Sequence, residues 1–159
     1  MKLNNIKSVY FVGAGGIGMS ALIRYFHAKG KRVAGYDRTP SALTAKLIEE
    51  GVAIHFEEDE ALIPAGFRDK ETTLVIYTPA VPVSHKELIY FRNNGFEVLK
   101  RSQALGLITN SSRGLCIAGT HGKTTTSSMT AHILKQSKVD CNAFLGGILK
   151  NYDSNLMLS

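Results

Sequence analysis

The chain has 159 residues, 44% of them hydrophobic and 20% charged, with a formal net charge of +6. This is the composition of a globular protein with one good core and room for part of a second, and it excludes a disordered segment. The basic residues are scattered, with no Lys/Arg run longer than the pairs Lys31-Arg32 and Lys100-Arg101, which argues against a nucleic-acid partner and for anionic small molecules.

The N-terminal Met1-Lys2-Leu3-Asn4-Asn5 runs straight into a strand pattern without an apolar leader. No stretch approaches the ~20 apolar residues of a membrane span. No membrane partner is expected, and the expected location is the cytoplasm. The cysteines, Cys116 and Cys141, lack metal-ligand or CxxC spacing and read as reduced thiols.

Val9 to Val12 reads as a buried strand. Ile17 to Lys29 follows as a helix with Ile17, Ala21, Leu22, Tyr25 and Phe26 on one face, stopped by Gly30. Arg32 to Tyr36 is a second strand. Pro40 to Glu50 reads as a helix capped by Thr39 with Pro in the first position, ended by Gly51. Val52 to Phe56 is a short strand, and Glu57 to Leu62 a helical turn. Thr73 to Tyr77 is a strand. Ser84 to Asn94 reads as a helix with Ser84 and Glu87 in capping-box spacing. Phe96 to Leu99 is a strand and Ser102 to Ile108 a helix. The polar stretch 109–114 reads as a linker. Leu115 to Ala118, with Cys116 inside it, reads as a buried strand leading into a new loop and helix; Asn142 to Leu149 and a tail follow.

The alternation predicts an α/β fold: a doubly wound, Rossmann-like parallel sheet with helices on both faces over residues 1–108. Residues 109–159 are too few to cover a second sheet, and read as the incomplete start of a P-loop ATPase domain. The expectation is a piece of a longer enzyme, the alternative being a complete small protein with a C-terminal appendage.

Gly13-Ala14-Gly15-Gly16-Ile17-Gly18 satisfies GxGxxG between a strand and a helix. Such a turn lets the backbone approach a diphosphate at the helix N-terminus, with Asp37 at the end of the next strand placed for a ribose or base. The motif fits a nicotinamide dinucleotide and a nucleotide-diphosphate sugar alike. Arg38 beside Asp37, the loop Thr78-Pro79-Ala80 after the third long strand, and Arg101 at another strand end lie on the edge where ligands of this architecture bind. Each also reads as a rigid connector or a solvated charge.

Gly119-Thr120-His121-Gly122-Lys123-Thr124-Thr125 is a second, compressed glycine turn; Ile117 stands where the usual P-loop pattern has its first glycine. Lys123 is placed for the terminal phosphates of a nucleoside triphosphate, and the Thr124 hydroxyl for a magnesium ion. His121 donates to a phosphate or merely occupies the turn. His27, His55, His85 and His132 have no ligand spacing and read as plain surface or helix residues.

Together these motifs resemble the Mur ligases of peptidoglycan synthesis. The likeness is carried by Phe11 to Ser20, Tyr77 to Pro82, Arg101 to Leu105, Ala118 to Thr126 and Phe144-Leu145-Gly146-Gly147. Ala14 departs from the apolar residue, often Ile, usual there. The Gly15 to Ser20 segment points to the alanine-adding member, with the murein-peptide recycling ligase as the alternative. The resemblance implies a three-domain enzyme, with this chain as its first domain and the opening of its second. It implies UDP-N-acetylmuramate and L-alanine as substrates, with ATP and Mg2+. It places the UDP diphosphate at Gly15 to Gly18 and uridine near Asp37 and Arg38. The competing expectation is a nicotinamide-dependent oxidoreductase domain, against which the second turn argues.

Overall fold

Alternate residues of the first strand, β1 (Ser8–Val12), serve two separate cores. The computed structural model describes residues 3–159. Successive side chains of a strand point to opposite faces, so Val9 and Phe11 pack on one side of the sheet and Tyr10 and Val12 on the other. All five residues of β1 are buried, which is why the strand reads as an unbroken apolar run.

The elements follow in alternation: α1 (Ile17–Ala28), β2 (Arg32–Tyr36), α2 (Ala42–Glu49), β3 (Ala53–His55), β4 (Thr73–Tyr77), α3 (Lys86–Asn93), β5 (Glu97–Lys100) and α4 (Arg101–Asn110). The five strands form one parallel sheet in the order β3-β2-β1-β4-β5. This is the expected doubly wound α/β fold. Met19, Leu22, Ile23 and Phe26 of α1, Leu47 of α2, and Ala104 and Ile108 of α4 cover one face. Leu88 and Phe91 of α3 cover the other, with Ile63, which follows a short 3-10 turn at Glu60–Leu62, and Phe67 of a second at Ala65–Phe67. The strand order reverses between β1 and β4, and that switch point puts the loops after both strands at one crevice.

Two helix starts differ from expectation. Ser41 caps α2, not Thr39: Ser41 Oγ accepts from Thr44 N–H (3.1 Å), and Ser41 N–H donates to Thr44 Oγ1 (2.8 Å). This reciprocal pair satisfies the backbone N–H groups of Ser41 and Thr44 at the helix start. The Ser84–Glu87 capping box does not form. His85 occupies the cap position without a side-chain bond, and Glu87 is buried against Tyr10. The tertiary contact wins over the local one.

The larger difference lies after α4. Leu115 to Ala118 form no strand; Leu115 is 69% exposed and Cys116 is exposed as well. A strand needs a neighbour to pair its N–H and C=O groups, and none among the described residues lies beside this segment. Helix α5 (Lys123–Gln136) forms as expected. Beyond it β6 (Ala143–Leu149) and β7 (Ser154–Met157) make an antiparallel hairpin, with β7 formed by residues expected to be a tail. The hairpin packs on α1, with the Phe144 and Tyr25 rings 5.3 Å apart. No helix among the described residues is long and apolar enough to cross a membrane.

Candidate functional site

At the end of β1 the backbone turns with Gly13 at φ 89°. A Cβ there would lie 2.3 Å from Thr78 Cγ2, so only glycine lets the turn after β1 pass against the loop after β4. The N–H groups of Gly13 and Ala14 both donate to the Tyr36 carbonyl, at 2.8 and 2.9 Å. Gly15 N–H donates to Asp37 Oδ2 at 2.6 Å, and Thr39 N–H donates to Asp37 Oδ1 at 3.0 Å. The first half of the GxGxxG motif thus spends its amides inside the protein. Ile17 and Gly18 open α1, where the first N–H groups have no intrahelical acceptor and the helix dipole adds partial positive charge.

Those residues border a cleft of about 380 Å³. Gly16, Ile17 and Gly18 form one lip. Thr78, just after β4, and Arg101, which opens α4 just after β5, enter from the neighbouring strand ends. The Arg101 guanidinium lies across Gly18: a Cβ there would meet Nη1 at 2.6 Å. Phe144, Leu145 and Gly146 of β6 complete the wall. The cleft therefore collects Gly16, Ile17, Gly18, Thr78 and Arg101 of the expected set. Gly13 and Ala14 lie buried beneath it, Asp37 braces the turn, and Arg38, Pro79 and Ala80 are exposed outside the lining. The β6 wall was not among the expected site residues. Its only trace in the sequence is the Gly146-Gly147 pair after two apolar residues.

The second turn is exposed throughout, from Gly119 to Thr125. Gly122 caps α5 in the left-handed region at φ 78°. Lys123 Nζ donates to the carbonyls of Gly119 (2.6 Å) and Thr120 (3.1 Å), drawing the turn closed. Thr120, His121 and Thr125 stand in solvent. Thr124 faces the hairpin: Cβ atoms on Gly146 and Gly147 would lie 3.4 and 3.5 Å from its side chain. Among the described residues no three His, Cys, Asp or Glu groups are placed to hold a metal.

On the opposite face lies a polar cluster the spacing gave no hint of. Tyr10 Oη is 2.8 Å from Glu87 Oε2 and 2.7 Å from His55 Nε2, and His55 Nδ1 is 2.8 Å from the Glu57 carbonyl. His85 is 2% exposed, so it is a core histidine and not a surface one. Burial lifts the Glu87 carboxyl to about 7 and pushes the His55 and His85 imidazoles below their ordinary range.

Residues 8–113 match the Mur ligase family, catalytic domain. The whole chain is 70% identical to the UDP-N-acetylmuramate–L-alanine ligase of Phocaeicola vulgatus and covers 35% of that protein. It is 72% identical over its whole length to the enzyme of the same name from Parabacteroides distasonis, covering 34% of it. Among solved structures, the UDP-N-acetylmuramate-alanine ligase of Thermotoga maritima superposes with a TM-score of 0.82 at 30% identity, over 94% of this chain and 34% of that one. The chain thus spans about a third of the length of the curated relatives it matches. Sheet order, glycine turn and matched residues converge: this chain belongs to the Mur ligase family.

Proposed function

We propose that the chain forms the sugar-nucleotide end of an ATP-dependent ligase that joins L-alanine to the carboxylate of UDP-N-acetylmuramate. The observation that carries this reading is the cleft where the N-terminus of α1 meets Arg101, in the same chain as a second glycine turn at α5. The names of the relatives supply the substrates. On this reading residues 1–108 bind the UDP sugar, and residues 109–159 open the ATP-binding domain. The exposed apolar side chains of Leu115, Ile117, Met129 and Ile133 are then the face that the rest of that domain covers. Nucleotide substrates place such a reaction in the cytoplasm.

Ile17 and Gly18 N–H groups donate to the diphosphate, and Arg101 neutralises its charge. Gly13, Ala14 and Gly15 shape the turn, and Asp37 braces it. Arg38, beside Asp37, lies near the uridine. At the second turn Lys123 exchanges the Gly119 and Thr120 carbonyls for phosphate oxygens, joined by amides from Gly119 to Thr125. The muramate carboxylate attacks the γ-phosphorus of ATP and ADP leaves, giving an acyl phosphate. The amine of L-alanine attacks the acyl carbon and loses its proton as phosphate departs. Lys123 and the α5 amides stabilise the charge that develops on the transferring phosphoryl group.

The Thr124 hydroxyl has the hard-oxygen chemistry of a magnesium ligand, at the helix N-terminus where phosphates would sit. It fits as one ligand of several. Magnesium, when bound, would neutralise phosphate charge there.

Isothermal titration of the chain with UDP-N-acetylmuramate, UDP, ATP and NADH tests the reading. UDP-N-acetylmuramate should bind, and UDP should compete with it. NADH binding that UDP cannot displace would overturn it in favour of an oxidoreductase domain.

A further inference from the structure

Asn155 lies on β7, is 2% exposed, and reaches out of its own hairpin to α1. Its Nδ2 donates to the Ile17 carbonyl at 2.5 Å and lies 3.3 Å from Ser20 Oγ. Its Oδ1 accepts from Arg24 Nη1 at 3.3 Å. Arg24 in turn grips Glu50 at the end of α2 through Nε and Nη2, at 2.8 and 2.9 Å. A side-chain amide is costly to bury unless its polar atoms find partners. Here the partner of the donor is the first carbonyl of α1.

That carbonyl belongs to the same peptide unit as Gly18 N–H. In a planar trans peptide the C=O and N–H point in opposite directions. Ser20 Oγ also donates to the Ile17 oxygen, at 2.8 Å, so Asn155 shares in fixing that oxygen and with it the aim of Gly18 N–H, and Gly18 lines the cleft. The hairpin that carries Asn155 also carries Phe144, Leu145 and Gly146 on the cleft wall, and touches Thr124 of the second turn through Gly146 and Gly147.

We propose that Asn155 is a positioning residue for the diphosphate site: it orients the Ile17–Gly18 peptide and seats the hairpin that forms the opposite wall. The proposal deepens the functional reading above and rests on it for the identity of the ligand. Asn155 touches no ligand itself. Its effect passes through one peptide plane.

The test uses the 159-residue chain, titrated with UDP-N-acetylmuramate, with the Gly18 amide followed by NMR. Asn155→Ala should weaken binding about tenfold, as expected for one misdirected hydrogen bond to a charged group. It should also shift the Gly18 amide resonance in the ligand-free chain. Glu50→Ala supplies the control for stability alone: it removes the Arg24 ion pair, so it should lower Tm while leaving affinity within twofold. Should Asn155→Ala fail to fold, Asn155→Asp takes its place, since it keeps an acceptor for Arg24 and loses the donor to Ile17. Wild-type affinity with an unmoved Gly18 amide in the Asn155 variant overturns the proposal. So does an equal loss of affinity in Glu50→Ala. If the unmodified chain binds no uridine nucleotide, the functional reading fails, and a Gly18 shift confined to the Asn155 variants still supports the positioning role.

Discussion

Asp37 and Gly15 are joined across the glycine turn by a 2.6 Å hydrogen bond from the Gly15 N–H to Asp37 Oδ2. An acid at the end of the second strand commonly faces a ligand's ribose. Here the carboxylate is engaged by the protein itself, with Thr39 N–H on its other oxygen. Asp37→Ala leaves the partly buried Gly15 N–H without an acceptor, at a cost of about 1–3 kcal/mol. Urea unfolding should show that loss directly. Asp37→Asn retains one acceptor oxygen and should lose less. A fully stable Asp37→Ala chain with impaired nucleotide binding would show instead that the acid serves the ligand and not the turn.

Gly18→Ala separates stability from binding. The new Cβ meets Arg101 Nη1 at 2.6 Å, and Nη1 is the far end of a flexible side chain that can swing aside. Stability should change by under about 1 kcal/mol, because alanine is the better helix residue. Affinity for UDP-N-acetylmuramate should fall by about tenfold or more, because the guanidinium is displaced from the cleft. Calorimetric Tm and titration on the same variant check both halves.

Gly35→Ala should be far more damaging. Its Cβ would lie 2.4 Å from the Phe11 carbonyl oxygen, a backbone atom of the adjacent strand β1 that cannot move aside. Overpacking of this kind costs about 1–3 kcal/mol or more. Chemical denaturation should register it, with no special effect on nucleotide affinity beyond the loss of folded protein.

Glu87 makes stability depend on pH. If His55 donates from Nδ1 to the Glu57 carbonyl, its Nε2 is an acceptor, and Tyr10 has a single proton for both Nε2 and Glu87. Tyr10 Oη donates to Glu87 Oε2 and so favours the carboxylate, but burial outweighs that bond and favours the protonated acid. That agrees with its carboxyl lying at about 7 in the fold against an ordinary 4.5. Between those values the folded state holds more protons than the unfolded one, so this contribution is complete below about pH 4.5 and is lost as pH rises through about 7. His55 and His85, shifted down, act in the opposite sense: the unfolded chain takes up their protons first as pH falls below about 6.5. Glu87→Gln removes the carboxyl alone. Its stability relative to the unaltered chain should therefore rise between about pH 4.5 and 7, by on the order of 2–3 kcal/mol. Parallel stability–pH curves for the two chains would contradict the assignment.

Lys123→Met tests the second turn. The lysine head bonds only exposed carbonyls of its own loop, so its removal should change stability by less than about 0.5 kcal/mol. On the proposed reading, ATP affinity falls by about tenfold or more, because a charge-assisted phosphate contact is gone. Titration with a non-hydrolysable ATP analogue reads the outcome.

The sequence by itself determined the sheet, both glycine turns and most helices. The apolar runs at Val9, Val33 and Leu74 and the glycines that follow helices are local signals, and each element they mark is built from neighbours in the chain. The tertiary structure decided what local patterning cannot encode. Leu115 to Ala118 has the composition of a strand, yet no strand lies beside it to take its backbone hydrogen bonds. Ser84 and Glu87 have the spacing of a cap, yet Glu87 turns to Tyr10, 77 positions away. The cleft wall at Phe144 to Gly146 and the Asn155 anchor arise where β6 and β7 return to α1, 138 positions after Ile17 in the case of Asn155. Contacts at that separation depend on packing the finished elements together, and no window of sequence contains both partners.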